Sequence, residues 1–286
     1  MRSLPLLLGL LVLSACGTQE QRAATPASPT ASSDVEAGHV HGLGVDPGDR
    51  SLLVATHHGL FRVDDASREV TPVGEPRDLM GFTIVGGGSY LASGHPGPGQ
   101  PEPARLGLVA SKDAGRTWRD VSLTGEADFH VLEAAGRTLY GVDGATGRML
   151  VSADGGRSWK ARTPPGQVFD LAVDPRDPER AVAATQDGLH VTRDAGRRWR
   201  PLNPRLTGLL AWAERGGLYL VDAEALVHRS RDGGRSFREV GAAGGPVTAF
   251  AADEEHLHVA LADGQIRRAA VGEWTFSDRA SLTAAG

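Results

Sequence analysis

The chain has 286 residues, of which 40% are hydrophobic and 23% are charged, a balance that excludes extensive disorder and is typical of a folded globular protein. Its 30 lysines and arginines against 35 aspartates and glutamates leave a formal charge of −5, which argues against nucleic acid as a partner because phosphate-binding surfaces are basic. The 38 glycines, 17 prolines and only 5% aromatic residues favour many short strands joined by turns, and we expect an all-β fold.

The first predicted element is an export signal over residues 1–15. Arg2 supplies a positive charge, and residues 6–13 form an apolar stretch that is too short to cross about 30 Å of hydrocarbon. The stretch ends in Leu-Ser-Ala-Cys, with the single cysteine of the chain at Cys16. This ending resembles the lipobox of bacterial lipoproteins, and the resemblance implies that Cys16 is acylated and becomes the mature N-terminus. We therefore expect a lipid anchor in the bacterial cell membrane, with the protein on its extracytoplasmic side.

Residues 16–37 are predicted to be the lipidated N-terminus followed by a disordered tether. This segment is rich in Ala, Thr, Ser and Pro and has no apolar periodicity, so it cannot bury enough surface to offset the entropy of ordering. About twenty flexible residues span roughly 25 Å. The folded domain is predicted over residues 38–282.

An eight-residue motif repeats four times within that domain. The copies are SKDAGRTW from Ser111, SADGGRSW from Ser152, TRDAGRRW from Thr192 and SRDGGRSF from Ser230, with starts 41, 40 and 38 residues apart. The octets match the Asp-box pattern S/T-x-D-x-G-x-T/S-W, also called the BNR repeat, except that the third has Arg198 where Thr or Ser is usual.

Each part of the octet has a local structural reason. The Asp side chain can accept hydrogen bonds from N–H groups of a turn, Gly can adopt positive φ, and the aromatic residue can pack between sheets. We therefore interpret the four aspartates as structural and not as catalytic. They are Asp113, Asp154, Asp194 and Asp232.

Two degenerate copies, one from His58 and one over residues 262–276, extend the array to six units. Each unit has four apolar-alternating stretches separated by turn signals, which is the pattern of a propeller blade. We place the blades near residues 38–76, 77–123, 124–163, 164–204, 205–242 and 243–282.

With these repeats the chain resembles the sialidase-like BNR superfamily of β-propellers. Four segments, GHVHGLGVDP, MGFTIVG, SGHP and GEADFHVL, more narrowly resemble a family of bacterial secreted or lipid-anchored BNR proteins that is often labelled glycosyl hydrolase. The resemblance implies a six-bladed, all-β propeller, but not an activity, because propellers host many unrelated functions. Sialidases of this superfamily have an Arg-Ile-Pro segment that the chain lacks, so strict sialidase activity is disfavoured.

The blade topology implied by the resemblance places the start of each innermost strand and the turn after each second strand on one face, opposite the Asp-boxes. We call it the upper face. Six of the ten histidines map to it: His39, His41, His57, His58, His95 and His130. The other four lie in outer strands and are predicted to be structural: His190, His228, His256 and His258.

The six upper-face histidines are a candidate metal or ligand site. Alignment of the innermost strands puts Met80 level with His41, and imidazoles with a thioether suit copper. Imidazoles with the nearby carboxylates of Glu126 or Asp128 suit zinc. The alternative is that the histidines are ordinary polar side chains lining the channel.

Carboxylates on the same face are candidates for catalysis. A glycosidase needs two carboxyl groups about 5 to 9 Å apart, and Asp170 with Asp187 is a candidate pair because both belong to blade four. Glu126 is a further candidate, and solvated loop acids are the alternative interpretation. Two functions remain open: a monomeric, membrane-anchored module that binds a small ligand, a glycan or a protein, with copper or zinc as candidate ions, and a glycoside hydrolase acting on surface glycans.

Overall fold

The computed structural model describes residues 38–282, and this part of the chain is built from 24 β-strands. The predicted signal and tether, including Cys16, lie outside the described residues. Across residues 38–282 there is no helix that is long and apolar enough to span a membrane.

The strands form six sheets of four. The first sheet contains β1 (Val40–Val45), β2 (Leu52–Thr56), β3 (Gly59–Val63) and β4 (Val70–Val73), and the second contains β5 (Asp78–Gly86), β6 (Ser89–His95), β7 (Leu108–Ser111) and β8 (Arg119–Ser122). The third contains β9 (Phe129–Ala135), β10 (Thr138–Asp143), β11 (Met149–Ser152) and β12 (Lys160–Arg162), and the fourth contains β13 (Val168–Asp174), β14 (Asp177–Thr185), β15 (Gly188–Thr192) and β16 (Arg200–Asn203). The fifth contains β17 (Leu209–Ala213), β18 (Gly217–Val221), β19 (Leu226–Ser230) and β20 (Arg238–Ala242), and the sixth contains β21 (Val247–Ala252), β22 (His256–Leu261), β23 (Gln265–Ala270) and β24 (Ser277–Ser281).

Every sheet is an antiparallel meander whose strands are neighbours in the chain order. The first strands of the six sheets contact one another in succession, and the last of them, β21, contacts β1. The sheets therefore form a ring, and the predicted six-bladed, all-β propeller is confirmed. Each sheet lies within the residue limits that the sequence predicted for its blade.

The hydrophobic core lies between neighbouring blades. The second strand of each blade is covered on both sides, which explains why its sequence is a continuous apolar stretch, as in LLVAT of β2. Tyr90, Tyr140 and Tyr219 lie in second strands, and all three are fully buried.

The Asp-box octets form the turns between the third and fourth strands. In the second octet, the carboxylate of Asp154 accepts hydrogen bonds from the Ser152 hydroxyl at 2.8 Å, from the Ser158 N–H at 2.9 Å and from the Ser158 hydroxyl at 2.6 Å. In the third octet, the Nε of Arg198 replaces that last hydroxyl and lies 2.8 Å from the carboxylate of Asp194. The carboxylates therefore stabilise their own turns, and hydrogen bonding lowers the pKa of each.

The ring closes between blades one and six through side chains, because the first four and the last four strands each complete their own sheet. The guanidinium of Arg279 donates hydrogen bonds to the backbone carbonyls of Asp64 and Asp65 and to the Asp65 carboxylate. Arg268 lies 2.6 Å from the same carboxylate. One aspartate of blade one thus holds two arginines of blade six.

Candidate ligand site at the upper face

Five of the six innermost strands carry a β-bulge near the upper end. The register with the second strand skips one residue in β1, β5, β9, β13 and β21, whereas β17 pairs without interruption. The skipped residues are His41, Met80, His130, Phe169 and Thr248. A bulge re-aims the side chain of its extra residue, so the propeller presents a ring of five such side chains. The predicted equivalence of Met80 with His41 agrees with this register.

The bulged residues surround the central channel. His41, Met80, His130 and Thr248 line a cavity of about 70 Å³ there, and the fifth bulge side chain, Phe169, is 48% exposed. The enclosed part of the cavity holds about two waters. The channel therefore suits an ion or a small polar group.

Asp78 contacts two histidines of blade one. Its Oδ1 lies 2.9 Å from Nδ1 of His57 and 3.9 Å from Nε2 of His41. The ring of His57 also stands edge-on to the rings of His41, at 4.3 Å between centroids, and of His39, at 5.8 Å. Ligand atoms of His41, His57 and Asp78 all lie within 4.8 Å of one another, which is a geometry that could hold a metal ion.

His41 is the buried member of this group. Burial and then the nearby His57 lower its pKa to about 4, so its imidazole is neutral at neutral pH. Its Nε2 is buried and has no hydrogen-bond partner among the described residues. The neutral imidazole is the form that binds a metal ion, through the ring nitrogen that carries no proton.

Asp128 contacts two further histidines of the predicted upper-face set. Its Oδ2 lies 3.0 Å from Nε2 of His130 and 3.4 Å from Nε2 of His95. The hydrogen bond to Asp128 raises the pKa of His130. Gly144 leaves room for the ring of His130, since a Cβ at that position would lie 2.4 Å from it. The described contacts thus divide four of the six histidines between two carboxylates, while His39 contacts the ring of His57 and His58 is exposed beside Gly38.

The catalytic candidates lie in different surroundings. Asp170 lines the central channel, where its Oδ2 accepts a hydrogen bond of 2.7 Å from the N–H of Leu210, and burial raises its pKa to about 7. Asp187 is exposed in the turn between β14 and β15, and Glu126 is exposed before β9. A second carboxyl group in the channel beside Asp170 is that of Glu133, whose pKa is raised by burial and by the charge of Asp170.

Sequence reasoning missed Asp78 and Glu133. A signal for the first was present, because an ionisable residue stands two positions before three of the bulges: His39 before His41, Asp78 before Met80, and Asp128 before His130. Aligning the innermost strands on these pairs would have placed Asp78 beside the histidines of blade one.

Comparison with known proteins finds no matching family model and no matching curated protein. Among solved structures, the chain is similar to a GH74 enzyme of Niastella koreensis, with a TM-score of 0.60, 12% identity, and coverage of 85% of this chain and 46% of that one. It is also similar to the GH74 xyloglucanase from Xanthomonas campestris, with a TM-score of 0.57, 19% identity, and coverage of 85% and 45%.

A chain in the nidogen/laminin complex gives a TM-score of 0.63 at 11% identity, with coverage of 82% of this chain and 96% of that one. The chain spans less than half the length of the GH74 enzymes, between 36% and 46%. Likenesses at such identities show the propeller fold alone.

Proposed function

We propose that this protein binds a divalent transition-metal ion at the upper face of the propeller, with His41, His57 and Asp78 as ligands. The observation that carries the proposal is the mutual distance of their ligand atoms, all within 4.8 Å. Two imidazoles and one carboxylate form a donor set that suits zinc and leaves a further coordination position open.

The side chain of Met80 offers a way to distinguish between the two candidate ions, copper and zinc. Met80 occupies the bulge of the strand that Asp78 begins, and it lines the same cavity as His41. A thioether ligand favours copper over zinc. Replacing Met80 by Leu should therefore weaken binding of Cu²⁺ while leaving binding of Zn²⁺ nearly unchanged.

The direct test is metal titration of the purified, tag-free protein, followed by elemental analysis and by thermal unfolding. Saturation at one hundred times the dissociation constant should stabilise the fold by about 2.7 kcal/mol for this site. We expect the variant His41→Ala with His57→Ala to bind one equivalent fewer than the parent. A matched control is His190→Ala in β15, whose ring contacts Thr185 at 3.4 Å and lies in an outer strand. Equal metal content in the parent and in the double variant contradicts the proposal.

The anchoring function rests on the sequence of the first 16 residues. An acylated Cys16 would hold the propeller at the extracytoplasmic surface of the cell membrane, where the upper face can meet a small ligand, a glycan or a protein. We expect Cys16→Ala to leave an uncleaved precursor or to release the protein from the membrane fraction. A variant that carries the parent's acyl mass and fractionates with it would contradict the anchor.

A glycoside hydrolase is the second candidate function, and Asp170 is the observation that favours it. A carboxyl group with a pKa of about 7 keeps its proton near neutral pH, as a general acid must. Two of the similar structures are GH74 enzymes, and one is a xyloglucanase, so xyloglucan oligosaccharides belong in a panel with fluorogenic glycosides. Turnover that is lost in Asp170→Asn or in Asp187→Asn would support this function over the binding module.

A further inference from the structure

Blade six carries a second set of two imidazoles and one carboxylate, at the end of the blade opposite the upper face. Asp253 follows β21, and His256 and His258 belong to β22. Residues two apart in a strand share one face of the sheet. That face is turned towards blade one, because Ala260 on the same side packs in one core cluster with Val63.

His258 is the buried member of this set. Its side chain is 5% exposed, and neither of its ring nitrogens has a hydrogen-bond partner among the described residues. Buried polar groups in native structures are nearly always satisfied, so an imidazole with two unsatisfied nitrogens needs an explanation.

The two carboxylate oxygens of Asp253 make different contacts. Oδ1 accepts hydrogen bonds from the backbone N–H groups of Glu255 and His256, at 2.7 and 2.8 Å, and so stabilises the turn. Oδ2 has no hydrogen-bond partner among the described residues; it forms an ion pair with Arg50 at 3.3 Å and lies 3.7 Å from Nε2 of His258, which is beyond hydrogen-bond distance. This oxygen and the unbonded Nε2 of His258 are thus neighbours without a hydrogen bond between them.

We infer that Asp253, His256 and His258 form a second metal site, with Zn²⁺ as the ion that fits best. One ligand atom from each residue lies within 4.8 Å of the others. Tetrahedral zinc holds its ligands about 3.4 Å apart, so modest side-chain rotation is sufficient. His256 is only half-buried, which leaves a side open to solvent for a fourth ligand.

One cation competes for this site. The guanidinium of Arg50, from blade one, lies 3.3 Å from Oδ2 of Asp253 and 2.9 Å from the carboxylate of Glu255. Arg268 pairs with His258 across β22 and β23 and adds further positive charge nearby. A bound zinc ion displaces Arg50 from Asp253, and Arg50 keeps its contact with Glu255.

The test uses the full-length protein with the upper site removed, as His41→Ala with His57→Ala, titrated with Zn²⁺ by calorimetry. We expect one zinc ion per chain. In that background, Asp253→Asn keeps the turn-capping oxygen, and His256→Asn changes a half-buried side chain, so both variants should fold. Each should weaken zinc binding by more than about tenfold, since even outer-shell partners of metal sites contribute 10- to 100-fold.

Arg50→Gln should change the zinc affinity in the opposite direction. Removing a partly exposed ion pair should strengthen zinc binding by about two- to fivefold, a change that a merely structural Asp–His pair does not predict. Absence of zinc binding in the upper-site variant overturns the inference, and so does affinity that is unchanged by Asp253→Asn and His256→Asn. Failure of the upper site alone would appear differently, as equal zinc stoichiometry with and without His41 and His57.

Discussion

The phenol of Tyr90 donates a hydrogen bond of 2.5 Å to Oδ2 of Asp46 and so joins blade two to blade one. Both residues are buried, at 1% and 2% exposure. The same carboxylate accepts hydrogen bonds from the N–H groups of Gly48, at 2.7 Å, and Gly88, at 2.8 Å. One buried aspartate therefore fixes a turn in each of two neighbouring blades, and burial together with this aspartate raises the pKa of Tyr90.

We predict that Tyr90→Phe lowers the free energy of unfolding by about 1 to 3 kcal/mol, because it removes a donor from a buried, charged acceptor. Urea denaturation at pH 7 measures the change. The matched control is Tyr140→Phe, whose hydroxyl donates at 2.9 Å to the neutral carbonyl of Pro178 and should cost less. Equal losses of unfolding free energy in the two variants would show that the hydrogen bond to Asp46 stabilises the fold no more than the hydrogen bond to Pro178.

Trp159 connects blade three to blade two, and its truncation should strongly reduce the stability of the fold. Its Nε1 donates at 2.9 Å to the hydroxyl of Ser122, and its ring packs 5.0 Å from that of Phe129. We expect Trp159→Ala to destabilise the fold by about 3 to 5 kcal/mol in thermal or urea unfolding. Trp159→Phe keeps an aromatic ring and loses the hydrogen bond, so its cost should be near 1 kcal/mol, roughly the worth of one hydrogen bond. A small effect of the alanine variant would mean that the interblade gap closes without the indole.

The Asp-box carboxylates should make the fold sensitive to acid. Hydrogen bonds lower the pKa of Asp113, Asp194 and Asp232 to about 2. Since the unfolded value is about 3.9, their stabilisation is present above that pH and is lost as the pH falls towards 2. Unfolding measured between pH 5 and 2 should show a flatter decline when all three are changed to Asn, while metal binding per folded molecule at pH 7 stays intact. Loss of binding in that variant would give the boxes a functional role.

Asp170 should have the opposite pH dependence. Its pKa in the folded protein, about 7, lies above the unfolded value of about 3.9. Between these values the unfolded chain releases a proton that the folded protein retains, so stability falls as the pH rises. We expect Asp170→Asn, which can still accept from the N–H of Leu210, to gain stability over the parent at pH 8 but not at pH 4. Asp187→Asn, at an exposed position, should change neither; a gain there would point to general charge effects.

The fold could be predicted because the Asp-box octet that marks it is held together by contacts between residues close in sequence. Within one octet, Ser152, Asp154 and Ser158 bond one another over a few residues, so spacing along the chain already describes the turn. Four such turns at nearly constant intervals imply a repeated blade, and the blade limits follow from them. The level of Met80 with respect to His41 was predictable for the same reason, because repeats place equivalent residues at equivalent heights.

Contacts between blades were not predictable in the same way. Glu133 and Asp170 belong to different blades, and only the ring brings them into one channel. His256 and His258 lie in β22, the second strand of blade six. What the strand pattern could not show is that their shared face meets Arg50 across the seam, since that requires the two ends of the domain to come together.

That seam has a kinetic consequence. The contacts of Arg268 and Arg279 with Asp65 join positions 203 and 214 residues apart, so their formation costs more loop-closure entropy than contacts within one blade. Each sheet is complete on its own side of the seam, and parting blades one and six therefore breaks side-chain contacts without unzipping a strand. We therefore expect the ring to close late in folding, and we expect the seam to be the place of transient opening in the native state.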